Sequence, residues 1–262
     1  MRYCEAIAFM LSYTQEVRGM DTFLGFLVLL ISIGAGFVQR VSGFGLGIFA
    51  MIFLPHVMPT HTAAATLSSI MSCATTTSNS IRYRKDIQYK TALPMIGAAL
   101  ITIPIAVYFS GKVSDDLFKV LLGAVLIVLS LYFLFVNQRI RMKPTAANGA
   151  IAGGLGGTLG GLFSTGGPPV VLYLTNALED KNAYFATIQF YFCFTNLYAT
   201  GTRFLGGMVT TAVLIYSTVG IVGSLMGDLI GKLVFDKLDG GKLKRVIYVG
   251  MILSGLLMVF RI

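Results

Sequence analysis

The stretch "VSGFGLG" (residues 41–47) interrupts an apolar run, and "FSTGGPP" (residues 163–169) interrupts another further along the chain. Their reading decides the fold. Glycine weakens a helix interior and proline breaks it, so each stretch is a break in a helix. Inside hydrocarbon, backbone N–H and C=O groups without partners cost several kcal/mol each. Such backbone survives only where protein or a water-filled cavity covers it. Both breaks are therefore expected at the centre of the molecule.

Working outward, the composition sets the class. Hydrophobic residues make up 55% and charged residues 12% of the 262 residues, and mean hydropathy is +0.79. A soluble domain carries about 25% charged residues. Apolar segments fall near 22–38, 46–55, 62–81, 91–110, 117–136, 149–163, 168–178, 183–202, 210–232 and 243–261. Most reach the length that crosses a bilayer. The chain reads as an all-α, polytopic integral membrane protein with the lipid bilayer as its surroundings and no water-facing globular domain. The net charge of +9 resides in loops between apolar segments, where it signals topology; no nucleic-acid partner is implied. Cys4, Cys73 and Cys193 show no paired spacing and read as free thiols.

Segments 46–55 and 168–178 are too short to span, and each follows a break, which suits re-entrant segments. Each half then reads as a leading helix, a break, a short return helix and three full spans. Residues 1–20 form an N-terminal extension, 21–145 a first repeat and 146–262 a second. "VSGFGLGI" (41–48) lines up with "FSTGGPPV" (163–170), and "VSDDLFKVLLGAVLIVLSLYFLF" (113–135) with "LDGGKLKRVIYVGMILSGLLMVF" (238–260). A re-entrant pair followed by three spans changes sides once, so consecutive halves are expected to be inverted. The side holding 82–90, 137–145, 178–182 and 232–245 carries 13 Lys/Arg against 6 opposite. The richer side is expected to be cytoplasmic. Inverted repeats with broken helices are the pattern of secondary transporters, whose site lies where the breaks meet.

A break leaves free N–H groups at the start of the next half-helix, an end with partial positive charge that suits an anion. Pro168 and Pro169 suit such a start. The candidate substrate-binding set is Arg40, Ser42, Gly43, Phe44, Gly45, Ser164, Thr165, Gly166, Gly167, Gln189 and Asn196. Ser42, Ser164 and Thr165 offer hydroxyls, and the glycines let a ligand approach the backbone. The alternative is two tight turns closing helical hairpins. Arg40 ends the first leading helix; an intramembrane arginine is a functional-site hypothesis by default, and its planar donors fit an oxyanion. Its alternative is snorkelling to the far surface. Leu162 aligns with Arg40, so the second half supplies no matching arginine. Gln189 and Asn196 share a face of one of two unusually polar helices, 62–81 and 183–202.

Other features read as structural. Gly153, Gly157 and Gly161, with Gly156 and Gly160, are spaced for close helix packing. Asp228 and Lys232 fit an interfacial ion pair. His56 and His61 lie in an outward loop without a carboxylate cluster, so no metal site is expected. No nucleophile triad, nucleotide-binding loop or cofactor motif is present, and the chain is not read as an enzyme.

The glycine break after the first apolar helix, "RYRK" (82–85), "GLFSTGGPP" (161–169) and their spacing resemble the TauE/SafE sulfite exporter family, also called the toluene sulfonate uptake permease family. The resemblance covers about residues 22–262. It implies a bacterial cytoplasmic-membrane protein that transports sulfite or another small sulfur-containing anion or organosulfonate. It also implies export coupled to protons, by alternating access. Alternatives are an anion channel of the same architecture, or a transporter of another organic anion or an amino acid. The sequence leaves the oligomeric state open, a homodimer being one option.

Overall fold

The computed structural model describes residues 22–136, 142–234, 249 and 252–260. The extension read over 1–20 lies outside the described residues. The chain is a multi-pass, all-α membrane protein. The helices are α1 (Thr22–Ser42), α2 (Leu46–Val57), α3 (His61–Arg82), α4 (Tyr89–Ser110), α5 (Asp115–Leu131), α6 (Ala146–Phe163), α7 (Gly167–Ala177), α8 (Lys181–Leu205) and α9 (Thr211–Val234). A π-turn, Tyr132–Val136, extends α5, and residues 252–260 are helical. Four helices among the described residues are long and apolar enough to cross a membrane: α1, α4, α5 with its extension, and α9. By contrast, α2 has 12 residues and α7 has 11. At about 1.5 Å per residue, both fall well short of a hydrocarbon core of about 30 Å.

Local chemistry sets the helix ends. Thr60, Ser114, Thr145 and Asp180 cap the starts of α3, α5, α6 and α8 by accepting backbone N–H bonds from the third residue on. The leading helices α1 and α6 both stop at a residue in left-handed backbone, Gly43 (φ 84°) and Ser164 (φ 59°). The breaks are therefore 43–45 and 164–166, of equal length. This pairs Gly43, not Ser42, with Ser164, one residue away from the register that the sequence suggested. It also places Gly161, not Leu162, opposite Arg40.

The two polar helices lie inside. On α3, Thr66, Ser68, Ser69, Ser72, Thr75, Thr76 and Asn79 are all buried; so are Thr187, Gln189, Thr195 and Arg203 on α8. Apolar residues such as Leu93, Ile101, Val128 and Leu197 face outward, as lipid requires. Glycines allow close helix approach. A side chain at Gly36, Gly227 or Gly231 would collide at the α1–α9 contact, and one at Gly153, Gly157 or Gly161 would collide at the α4–α6 contact. The packing role expected of that α6 stripe holds. The two halves of the chain interlock, because each leading helix packs on a helix of the other half.

Contacts sort the loops to two ends. At one end, Gln88 N–H donates to Thr187 Oγ1 (3.0 Å) and Tyr173 O–H to the Thr145 carbonyl (3.1 Å), which gathers 82–90 and 178–182. At the other, His61 Nε2 lies 2.9 Å from the Ser110 carbonyl, and His61 Nδ1 pairs with the Asp115 carboxylate. The expectation for His61 is corrected here. It opens α3, is buried and stacks on Phe118 at 4.1 Å, with a carboxylate that distance in sequence concealed. Among the described residues no group of three or more His, Cys, Asp or Glu could hold a metal.

A candidate substrate site between the two helix breaks

The two breaks touch. Phe44 packs on Gly167, and a side chain at Gly47 would run into the Ser164 carbonyl. Yet their hydrogen bonding differs.

The first break is satisfied from within. Gln189 Nε2 donates to the Gly43 carbonyl (2.8 Å), with Gln39 Nε2 at 3.3 Å from the same oxygen. Gln39 Oε1 accepts the Leu46 N–H at the start of α2 (3.0 Å), and the two glutamines bond to each other (3.2 Å). Ser42 Oγ donates back to the Val38 carbonyl (2.7 Å). The donor end of α2 is thus already occupied by a side-chain amide.

The second break is different. Ser164 N–H reaches the Gly160 carbonyl (3.0 Å), and Thr165 N–H the Leu159 carbonyl at 3.4 Å. Pro168 and Pro169 have no N–H to offer. The Gly166 and Gly167 N–H groups find no acceptor among the described residues. Both glycines line a cavity of about 30 Å³, together with Ser164, Gly156, Gly160, Ser72, Tyr191, Thr195, Asn196, Phe44 and Gln39. A water needs about 10–15 Å³ on this scale, so the space suits a small ion or one or two waters. The positive end of α7 points here with unspent donors, which is the electrostatics of an anion site. Gly156 and Gly160, the second stripe of α6, form its wall rather than only a packing surface.

A larger cavity, about 280 Å³, lies toward the end bearing 82–90. Arg40, Ser42, Gly43, Phe44, Tyr83, Phe133, Thr175, Lys181, Asn182, Tyr184 and Phe185 are among its lining residues. Phe44 lines both spaces, and its ring lies tilted against Phe133 with centroids 5.6 Å apart.

Arg40 is 7% exposed. Its guanidinium donates to Asn79 Oδ1 (3.2 Å) and to the Tyr83 hydroxyl, and it sits 5.0 Å from the Phe185 ring centre. Asn79 in turn donates to Asp228 Oδ1 (2.9 Å). Asp228 is the one buried carboxylate among the described residues, and it turns inward rather than pairing with Lys232. The ion pair expected between those two is not formed. Arg40 thus faces the larger cavity, and neither the second break nor lipid.

Of the other expected residues, Ser164, Gly166, Gly167, Phe44 and Asn196 converge on the small cavity. Ser42 and Gly43 face the larger one. Gly45 closes the first break against Val38. Gln189 serves the first break. Thr165 is buried, and among the described residues its hydroxyl has no partner. Sequence reasoning missed Gln39 and Arg203, and offered Ser69 only as one of the hydroxyls of the polar helix 62–81. Arg203 is fully buried. It donates to Ser69 Oγ (2.6 Å) and to the Gly161 carbonyl (2.7 Å), and Ser69 Oγ lies 3.0 Å from Ser164 Oγ. The signal was Gly206-Gly207, which ends α8 after Arg203 rather than before it.

A family model described as sulfite exporter TauE/SafE matches residues 28–258. No curated protein and no solved structure gives a significant match.

Proposed function

Because the chain belongs to the TauE/SafE family, whose members move small anions across membranes and are not enzymes, we propose that it carries sulfite or a small organosulfonate by alternating access. The observation that carries this reading is the pair of N–H groups at Gly166 and Gly167 that have no acceptor among the described residues, in two residues that line the small cavity at the start of α7. An oxyanion there gains two backbone donors, the Ser164 hydroxyl and Asn196, without meeting a carboxylate. The larger cavity is the approach from the basic-loop side, and Arg40 attracts the anion into it. That side is cytoplasmic by the loop charges, which makes this an inward-facing arrangement and export the working direction. Phe44 closes the passage between the two spaces. We place the protein in a bacterial cytoplasmic membrane. Two inverted repeats rock about the paired breaks, in keeping with broken-helix transporters. Proton coupling arises from carrying a protonated anion or through Asp228.

The test is uptake of radiolabelled sulfite and sulfoacetate into proteoliposomes under an imposed proton gradient. The wild type accumulates one of them above equilibrium, and a protonophore abolishes accumulation. Arg40→Ala and Ser164→Ala each lower the initial rate at subsaturating substrate. Downhill flux without accumulation would establish a channel. Wild-type rates in both variants would remove the proposed site.

A further inference from the structure

We infer that Arg203 is a positioning residue for the anion site, acting through Ser69 to aim the Ser164 hydroxyl into the small cavity. The inference rests on the transport reading above and extends it to a group that does not line the cavity.

Three observations lead to it. The first is charge. A fully buried arginine is costly unless paired, and among the described residues Arg203 makes no ion pair. Among the described residues its hydrogen-bond partners are the Ser69 hydroxyl and the carbonyls of Gly160 and Gly161, and its Nε has none. Those carbonyls belong to the last turn of α6, the negative end of that helix. An anion at the second break faces this end as well as the positive end of α7. Arg203 cancels the unfavourable one and leaves the favourable one.

The second is direction. Arginine only donates, so Ser69 Oγ accepts from it. Ser69 then has one O–H to give, and Ser164 Oγ is 3.0 Å away. Ser164, having accepted, has its own O–H left for the cavity that it lines. Once an oxyanion oxygen accepts from Ser164, the chain has one sense, from Arg203 through Ser69 and Ser164 to the anion. Each link polarises the next.

The third is strain. Ser164 is the one non-glycine residue with positive φ among the described residues. The equivalent position of the first break is glycine, which adopts that backbone freely. A serine held there against its preference keeps a hydroxyl where Ser69 meets it.

The geometry also places Arg203 as the counterpart of Arg40. Each sits between the end of a leading helix and the end of the third helix of its half. Arg40 reaches from α1 toward α3, whereas Arg203 reaches from α8 toward α6.

The test compares wild type, Ser69→Ala, Ser69→Thr, Ser164→Ala and the Ser69→Ala/Ser164→Ala double variant. Each is reconstituted in proteoliposomes with radiolabelled sulfite and sulfoacetate. A hydrogen bond to a charged group governs about ten- to a hundredfold in affinity. Ser69→Ala is expected to raise KM about tenfold with kcat little changed, and Ser69→Thr to restore it. The double variant is expected to match Ser164→Ala alone, because the two hydroxyls act in series. Substrate-free unfolding temperatures verify that each variant is folded; Ser69→Ala changes no charge and keeps a good helix former. An unchanged KM in Ser69→Ala, or multiplicative effects in the double variant, overturns the relay. A wild type that moves neither anion overturns the transport reading on which the relay rests.

Discussion

Replacing Ser164 with glycine separates stability from transport, and the structure fixes the size of both effects. Left-handed backbone costs a non-glycine residue about 1–2 kcal/mol, and Ser164 has φ 59° and ψ 22°. Glycine removes that cost. It also removes the 3.0 Å contact with Ser69 Oγ, a neutral hydrogen bond worth about 0.5–1.5 kcal/mol. The two nearly cancel, so the unfolding temperature in detergent is expected to stay close to that of wild type. Ser164→Ala keeps the strain and loses the bond, and is expected to be less stable than Ser164→Gly by about 1 kcal/mol. Transport behaves otherwise. Both variants lose the hydroxyl proposed to donate to the anion, so both are expected to raise KM for sulfite by at least about tenfold. The assay pairs thermal unfolding of purified protein with initial uptake rates over a range of sulfite concentrations. A Ser164→Gly protein with wild-type KM would show that the hydroxyl does not touch the substrate. The break would then be a tight turn that happens to carry serine.

Three further outcomes follow from the same geometry. Gly47→Ala puts a methyl group into the Ser164 carbonyl; forcing the breaks apart should cost about 1–3 kcal/mol and abolish uptake, read by thermal unfolding and flux. Phe44→Ala should join the two cavities that Phe44 lines, and passive sulfite leak from loaded proteoliposomes should rise several-fold while accumulation falls. Asp228→Asn still offers an oxygen to Asn79, so the fold should persist; if Asp228 carries the coupled proton, downhill exchange survives and uphill accumulation disappears. Wild-type accumulation in that variant would assign coupling to the substrate's own proton.

Much of this was legible in the sequence because glycine and proline punctuate helices strongly, and an apolar environment makes breaks expensive. The positions of both breaks and the shortness of α2 and α7 followed from that. What escaped the sequence were contacts between residues far apart in the chain. His61 pairs with Asp115, 54 residues on, and Asp228 bonds Asn79 on another helix rather than the lysine four residues away. Arg203, near the end of an apolar run, has the sequence pattern of a topology signal. Only packing shows that its guanidinium turns inward onto α6. The register of the two breaks slipped by one residue for a related reason. Matching serine to serine looked natural, whereas the helix ends are set by the left-handed residue, glycine in one break and serine in the other.

That slip bears on how two similar motifs divide their work. Had the breaks been equivalent, each would present the start of a short helix to a shared ligand. In the first, Gln39 already occupies the Leu46 N–H, and both glutamine amides hold the Gly43 carbonyl. An anion there would have to displace a side chain that is itself held by Gln189. In the second, prolines supply no competing donors, the glycine N–H groups stay open, and a buried arginine offsets the adjacent carbonyl end. On the proposed reading the first break, closed by its own glutamines, is a wall of the site and the second is the surface offered to the anion. Removing the Gln189 amide should loosen the wall without removing a donor from the anion. Gln189→Leu is thus expected to slow turnover more than it raises KM, the reverse of the split expected for Ser69→Ala. Equal KM effects in the two variants would mean that both breaks bind the substrate directly.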